Sequence, residues 1–514
     1  MRQYWKTWAI VLAAAVIVAL PLLLRPAVQP TTAAPAFGAQ QLVIITPHNE
    51  QIRFEFARAF NDWRIEQNLP PIQFDWRAGG GTSDLRKQVL AQLQAAADQG
   101  AEDGGIGVDL FFGGGDFEHN RLAQGVTVQR HGQALRISAS VPPQLPPGLL
   151  EQVFPQPTLG GEQLYHPDLH WLGVALSSFG IVYNHDLLNI LELPQPTTWA
   201  DLADARYLRW LALADPAHSG SVAQTYNVIL RRQGWTAGWA LLRRAFANSR
   251  YFTASSSKVP VDVSAGEAAA GMCIDFYGRF QAGAVGGQRV GYVDPPFMTA
   301  TTADPISIIR GAPHRPLADD FVIWLLSPPA QRLWQRRLNL PDGPTMFELR
   351  RQPIRRDLYT PEESTAWTDP QINPFQTTSP VASAMPNFYG MVAPLSHAMA
   401  IDVHDDLVAA WAAILRTPDD NPKKTEILRL FDRLPDELTL TWPDDDLAHS
   451  WLDAVEQGDH PRHHEAVAIL QAFGDTLTHS FLAPGRSDHL LQQQIVWTRF
   501  FRQQYRQIVK LAAH

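Results

Sequence analysis

The chain has 514 residues, 45% hydrophobic and 18% charged, the balance of an ordinary globular protein long enough for two to four domains. A formal charge of −9 argues against a nucleic-acid partner, which calls for a basic surface. The single cysteine, Cys273, excludes an internal disulfide framework; set between Met272 and Ile274, it reads as a small buried residue.

Arg2 and Lys6 precede an uncharged run from Thr7 to Leu24, just long enough to cross a hydrocarbon core. Positive charge before the run keeps the N-terminus inside and sends the rest of the chain out of the cytoplasm. The only small-x-small cleavage pattern, Ala34-Pro35-Ala36, lies well past the run and has proline at its centre. Residues 1–40 are therefore expected to be an uncleaved signal anchor and a tether.

A strand is expected over Gln41 to Thr46, followed by the loop Thr46-Pro47-His48-Asn49-Glu50. Ile52, Phe56, Phe60 and Trp63 then fall on one helical face. Ile72, Phe74 and Trp76 alternate as a second strand, which runs into Gly79-Gly80-Gly81-Thr82-Ser83 and a helix striped by Leu85, Val89 and Leu93. A third strand, Val108 to Phe112, ends in Gly113-Gly114-Gly115. Repeated strand–loop–helix units imply a mainly parallel sheet, and ligands bind such sheets at the carboxyl ends of the strands. His48 and Asn49 occupy one such loop, and the glycine clusters occupy two more. Glycine there lets the backbone approach a ligand, and Thr82 and Ser83 add hydroxyls at a helix start.

Residues 126–170 are proline-rich and weakly patterned. Gly180 to Asn184 reads as a strand, Thr198 as the cap of a short helix with Asp201 three residues on, and Trp210 to Ala214 as another strand. Asp215-Pro216 and Ser219-Gly220-Ser221 then lead into helices over Gln224–Arg232 and Trp235–Phe246. Small hydroxyl residues and glycine at a helix N-terminus present free N–H groups and a favourable dipole to an anion. After the loop Ser255-Ser256-Ser257-Lys258, a strand over Met272–Ile274 ends in Asp275-Phe276-Tyr277-Gly278-Arg279. Asp294-Pro295-Pro296 is a turn, Ile306 to Ile309 a strand, and Leu317–Leu326 and Pro329–Leu338 are helices.

Residues 360–400 are polar and proline-rich; beyond them helices are expected over Asp405–Leu415, Lys424–Phe431, Ala448–Val455, His464–Phe473 and Asp488–Leu511. In the last, Leu491, Ile495, Phe500 and Ile508 sit near one face. His460, His463 and His464 lack the spacing of a metal site and read as a solvated helix start. No GxSxG, HExxH, Walker A or GxGxxG pattern occurs.

The succession Gly180-Ile181-Val182-Tyr183-Asn184, Asp186-Leu187-Leu188, Leu193-Pro194, Pro196-Thr197-Thr198-Trp199-Ala200-Asp201-Leu202, Asp215-Pro216 and Ser219-Gly220-Ser221 resembles the second lobe of extracellular solute-binding proteins of ABC importers, the ferric-iron, thiamine and phosphonate binders in particular. The resemblance runs from about Gln41 to Tyr359. It implies an α/β, two-lobed fold of the type II periplasmic-binding-protein kind, closing on a hinge. It further implies a first lobe over 41–172, a second over 173–305, and a return to the first over 306–360. Residues 361–514 form a helical C-terminal extension outside it. The chain crossings are expected near Leu172 to Ser178 and Ile306 to Arg310.

By the same resemblance the protein is a receptor, not an enzyme. It needs no cofactor, captures an anion, an organic solute or iron between its lobes, and delivers it to ABC permease subunits outside the cytoplasmic membrane. The expected ligand residues are Thr46, His48, Asn49, Gly80, Gly81, Thr82, Ser83, Gly113, Gly114, Ser219, Gly220, Ser221, Asp275 and Tyr277. Iron-binding relatives pair two tyrosines after this strand, where Phe276-Tyr277 stands here, and use an acidic residue where Gly113-Gly114 stands. His48 and Tyr277, with Asp275 beside them, make a thin donor set for a ferric ion. Two other readings use the same residues: a secreted enzyme with His48, Asp275 and Tyr277 as acid–base groups, or a sensor whose C-terminal helices dock another protein.

Overall fold

The computed structural model describes residues 40–378, 385–439, 442, 450, 454, 462–483 and 486–513. The expected signal anchor over Thr7 to Leu24 and nearly all of the helix expected over Ala448 to Val455 lie outside the described residues. Among the described residues, no helix is long and apolar enough to cross a membrane.

Apart from two hairpins, over 126–137 and 158–163, the strands in chain order are β1 (Gln41–Ile45), β2 (Gln73–Arg77), β3 (Leu110–Phe112), β4 (Ser140–Val141), β5 (Leu172–Ser177), β6 (Phe179–Asn184), β7 (Leu211–Ala214), β8 (Ser249–Thr253), β9 (Ala270–Ile274), β10 (Val290–Val293), β11 (Thr302–Ile309) and β12 (Gln352–Pro353). They form two sheets. The first has the order β12-β5-β11-β3-β1-β2, with β4 also on β11; the second has the order β8-β7-β9-β6-β10. β1 pairs in parallel with both β2 and β3, as the repeated strand–loop–helix units require. β11 runs antiparallel to β3 and β5, and β6 antiparallel to β9 and β10, so both sheets are mixed rather than mainly parallel. β11 and β6 enter their sheets from the other lobe, without a helical crossover to set a parallel direction, while the short β4 and β12 add antiparallel pairs on β11 and β5.

β1 is apolar at four successive positions because it is buried on both faces. Leu42 and Ile44 join the main core with Ile52, Phe56 and Phe60, while Val43 and Ile45 join a smaller core with Leu85, Val89 and Leu93. Those two triplets come from helices α1 (Glu50–Glu66) and α2 (Thr82–Asp98), which lie on opposite faces of the sheet. Helix α3 (Asp116–Gln124) follows β3. The second sheet carries α4 (Gly220–Gln233), α5 (Trp235–Asn248), α6 (Lys258–Ala265) and α7 (Asp275–Ala284).

The chain passes from the first sheet to the second through the single residue Ser178, between β5 and β6. It returns over residues 294–301, ahead of β11. Ile306 to Arg310, where the return was expected, therefore begins well inside the first sheet. Of the two return helices, α8 (Arg315–Leu325) matches its expected span, but the second is only Pro328–Arg332.

The extension contains α9 (Tyr389–Met399), α10 (His404–Arg416), α11 (Lys424–Asp432), α12 (His463–Leu477) and α13 (Ser487–Ala512). From Tyr389 onward it is built onto the second lobe; residues 361–378 lie on the first, where Glu363 pairs with Arg332 at 2.7 Å and Asp369 with Arg350 at 3.0 Å. Helix α9 packs on α4, α10 and α11 pack on α5, and α13 lies across α9, α10 and α11. Trp235 Nε1 donates to the Leu438 carbonyl at 2.9 Å, and Arg244 forms a two-pronged pair with Asp432 at 2.8 Å. The expected face of α13 holds at Ile508 and, half-buried, at Phe500, but not in its first half. Leu491 and Ile495 are exposed, and the buried stripe is Trp497, Phe501, Tyr505 and Ile508. At 3.6 residues per turn, Ile495 points about 200° away from Trp497.

Candidate functional site

Between the lobes lies a cleft whose free space, counted with its open mouth, is about 730 Å³. Its first-lobe floor is a buried ion cluster. Asp304 on β11 meets His48, from the β1–α1 loop, at 3.0 Å, and Arg351, just ahead of β12, at 2.9 Å. Arg351 also donates twice to Ser177 Oγ, at 3.0 and 2.7 Å, and its guanidinium stacks on Phe276 at 4.3 Å. Asp304 accepts a third bond, 2.8 Å, from the Gly114 N–H. Burial alone would raise the Asp304 pKa. The positive charge of Arg351 and the His48 contact outweigh it and hold the carboxyl at about 2. Burial depresses the His48 pKa despite Asp304, and Arg351 adds to the depression. The cluster is thus an aspartate–arginine pair with a neutral imidazole against it.

The glycines of this wall are required by contact. Gly113 (φ +98°) lies under the His48 ring, and a Cβ there would sit 2.6 Å from Nε2. Gly114 (φ +113°) would meet the Thr82 methyl at 2.3 Å. Gly81 has an ordinary φ, but its Cβ would fall 1.9 Å from the His218 carbonyl oxygen of the other lobe. The lobes touch at that point.

The rest of the cleft is a convergence of helix starts. Gly81, Gly115, Ser219, Ser257 and Ile274, the N-cap residues of α2, α3, α4, α6 and α7, all line it. Each helix start leaves backbone N–H groups without intrahelical partners and carries a partial positive charge. Ser219 Oγ lies 3.1 Å from Ser221 Oγ, which donates to Ser256 Oγ at 3.2 Å. Ser219 holds its own helix only through a long 3.5 Å bond from the Val222 N–H.

Nine of the fourteen expected ligand residues line the cleft: His48, Gly80, Gly81, Thr82, Gly114, Ser219, Gly220, Ser221 and Tyr277. The other five lie around it. Thr46 accepts the His48 N–H at 3.1 Å, Asn49 caps α1, Ser83 donates to Glu118 at 2.6 Å, and Gly113 backs His48. Asp275 lines a different cavity, bounded by Ser178, Asp294, Pro295 and Pro296. Burial pushes its carboxyl up to about 7, against the pull of Arg279. Helix α7 starts at Asp275, whose N–H donates to the Ser178 carbonyl at 3.0 Å, and Tyr277, two residues on, lines the cleft. The acid–base trio of His48, Asp275 and Tyr277 is not assembled. Burial raises the Tyr277 phenol to about 12. Among the described residues, no group of three or more His, Cys, Asp or Glu side chains could hold a metal ion.

Asp304, Arg351, Ser177, Phe276 and Gln224 line the cleft without having been singled out as ligand residues. Asp304 and Arg351 lie 256 and 303 residues from His48, too far for any local pattern to join them. The one available sign for Arg351 is its place between apolar Leu349 and Ile354.

A two-lobed α/β protein, crossed twice by its chain and with a cleft at the strand ends, has the architecture of the periplasmic binding proteins. Residues 149–350 match the family of bacterial extracellular solute-binding proteins, as the resemblance implied. Among curated relatives, the chain is 28% identical over 162 residues to the phosphoglycerate transport regulatory protein PgtC of Salmonella typhimurium and, to the same extent, of Salmonella typhi. The matched stretch is 32% of this chain and 40% of either relative. Among solved structures, the periplasmic binding protein AfuA of Actinobacillus pleuropneumoniae, with exogenous fructose-6-phosphate bound, is 15% identical, with a TM-score of 0.49 over 73% of this chain and 98% of its own. The ferric binding protein of Campylobacter jejuni is 14% identical, with a TM-score of 0.48 over 71% and 99%.

Proposed function

We propose that this protein is the substrate-binding receptor of an ABC-type importer, and that its solute is a small organic anion bearing a phosphate or a similar oxyanion. The observation that carries this reading is the convergence of five helix N-caps, three of them bare of side-chain oxygen, on one cleft. Unpaired N–H groups and aligned dipoles favour an anion with many acceptor oxygens. Among the described residues, the one arginine lining the cleft, Arg351, is already neutralised by Asp304, so the helix starts supply the attraction. The partial match to a phosphoglycerate transport regulatory protein agrees with this chemistry.

Iron fits less well. A ferric site needs several hard anionic donors. Tyr277 is held as a neutral phenol, Asp304 is saturated by His48, Arg351 and Gly114, and Phe276 offers nothing. Titration calorimetry of the full-length protein with 3-phosphoglycerate, glycerate and inorganic phosphate, beside ferric citrate, tests the reading. A phosphorylated acid is expected to bind, with its unphosphorylated partner at least about tenfold weaker, one lost charge-assisted contact. A visible tyrosinate–iron band that survives citrate and vanishes in Tyr277→Phe would replace the anion with iron.

Delivery to a permease requires the cleft to face outward, and the uncleaved anchor over Thr7 to Leu24 would hold it there. N-terminal sequencing of the mature protein is expected to start at or near Met1. A start near Phe37 would show that the segment is removed.

A further inference from the structure

The C-terminal extension meets the cleft rim through Tyr389. Tyr389, the first residue of α9, presents its hydroxyl to acceptors from both lobes: Glu118 Oε1 on α3 at 2.9 Å, and the Gly220 carbonyl at the start of α4 at 3.3 Å. Its ring stacks on Phe117 of the first lobe, centroids 3.9 Å apart and planes at 22°. The first-lobe side of this contact is fixed, because buried Glu118 is also held by Ser83 at 2.6 Å and by Arg86. The second-lobe side is fixed as well. Helix α9 packs on α4, and two turns along it His397 binds both oxygens of Asp215 at 3.1 Å, at the base of the loop that carries Ser219-Gly220-Ser221, the serine loop.

We propose that Tyr389 is a closure latch, through which the C-terminal helices hold the serine loop of the second lobe against the first lobe. The proposal rests on the receptor reading only in taking the gap between the lobes for a ligand cleft that opens and closes. The other contacts across the rim differ in kind. Asp84–His218 at 2.9 Å and Lys87 to the Ala217 carbonyl at 3.2 Å join exposed side chains, which water replaces at little cost. Arg231–Glu162 is buried but lies wholly on α4 and the hairpin at 158–163, with no tie to the extension. Opening the cleft draws the Tyr389 ring off Phe117 and leaves the Glu118 carboxylate short of one donor. The extension, which lies outside the family match at residues 149–350, thereby enters the closing equilibrium.

The test measures opening directly and needs no solute, so its failure is separate from failure of the receptor reading. Spin labels are placed at exposed Gln92 and Asn189, one in each lobe, in the full-length protein, whose native Cys273 is buried. Interlabel distances are then read by pulsed electron resonance. Gly81→Ala, whose new methyl drives against the His218 carbonyl, marks the distance of a separated cleft. Tyr389→Phe keeps the stacking and removes the bond; it is expected to raise the population at the longer distance about threefold to tenfold. Adding Phe117→Leu is expected to make that population dominant, with the far-ultraviolet spectrum unchanged. A distribution identical to wild type in both Tyr389→Phe and the double variant would overturn the latch.

Discussion

The two walls of the cleft solve different problems. The first lobe contributes full charges that are buried, paired and closed off: Asp304 and Arg351 are 2% and 1% exposed and satisfy one another. The second contributes no paired charge to the lining: beside the Gln224 amide and the rings of Phe276 and Tyr277 it offers three helix starts and a hydrogen-bonded row of hydroxyls, Ser219, Ser221 and Ser256. Formal charge in this site is therefore structural, and attraction for the solute comes from partial charges. A full charge in a dry cleft is costly to leave empty, whereas N–H groups and hydroxyls are easily satisfied by water in the open state. The contrast predicts that changes in the first wall register as stability and changes in the second as affinity.

The largest expected effect is on the first wall. Arg351→Met leaves Asp304 buried with only a neutral imidazole and one backbone N–H, and is expected to destabilise the protein by about 3–5 kcal/mol. Removing both charges, Arg351→Met with Asp304→Asn, is expected to recover much of that loss, since a buried pair is worth less than the cost of breaking it. Urea unfolding checks both. If the single change costs less than about 1 kcal/mol, the cluster is not the paired floor argued here.

The same contrast marks what the chain reveals by inspection. The second wall was readable because its signals are local: Ser219-Gly220-Ser221 opens a helix, and β6 and β7 are short apolar runs bounded by turn residues. The glycine loops of the first lobe were readable for the same reason. Arg351 was not, because its partners Asp304, His48 and Ser177 come from three other segments and converge only after both crossings. The return crossing was placed late because Ile306 to Ile309 looks like a whole strand, whereas β11 begins at Thr302 with polar residues that happen to be buried. Helix α9 was hidden by Pro394 in its interior, which argues against a helix although Tyr389, Met391, Val392, Leu395 and Met399 keep helical spacing. In α13 the helix was evident and its face only in part, since apolar residues occur all round it and only packing against α9, α10 and α11 chooses among them.

The smallest expected effect is on the second wall, and it separates a cap from a ligand group. Ser219 is the N-cap of α4, and replacing a working cap by alanine costs about 0.5–2 kcal/mol of stability, by glycine only a few tenths. Its bond to the Val222 N–H is 3.5 Å, at the outer limit of a hydrogen bond, so the hydroxyl is weakly committed to the helix. Ser221, half-buried and inside the first turn, caps nothing. Ser219→Gly with Ser221→Ala is therefore expected to leave the unfolding midpoint nearly unchanged. It should weaken binding of the phosphorylated acid found by calorimetry by about 1–2 kcal/mol, two hydrogen bonds to an anion in a site where the dipole of α4 persists. A fall in stability at constant affinity would make Ser219 a cap and nothing more. Loss of affinity with the midpoint held shows that the hydroxyl row faces the solute, as a wall built from partial charges demands.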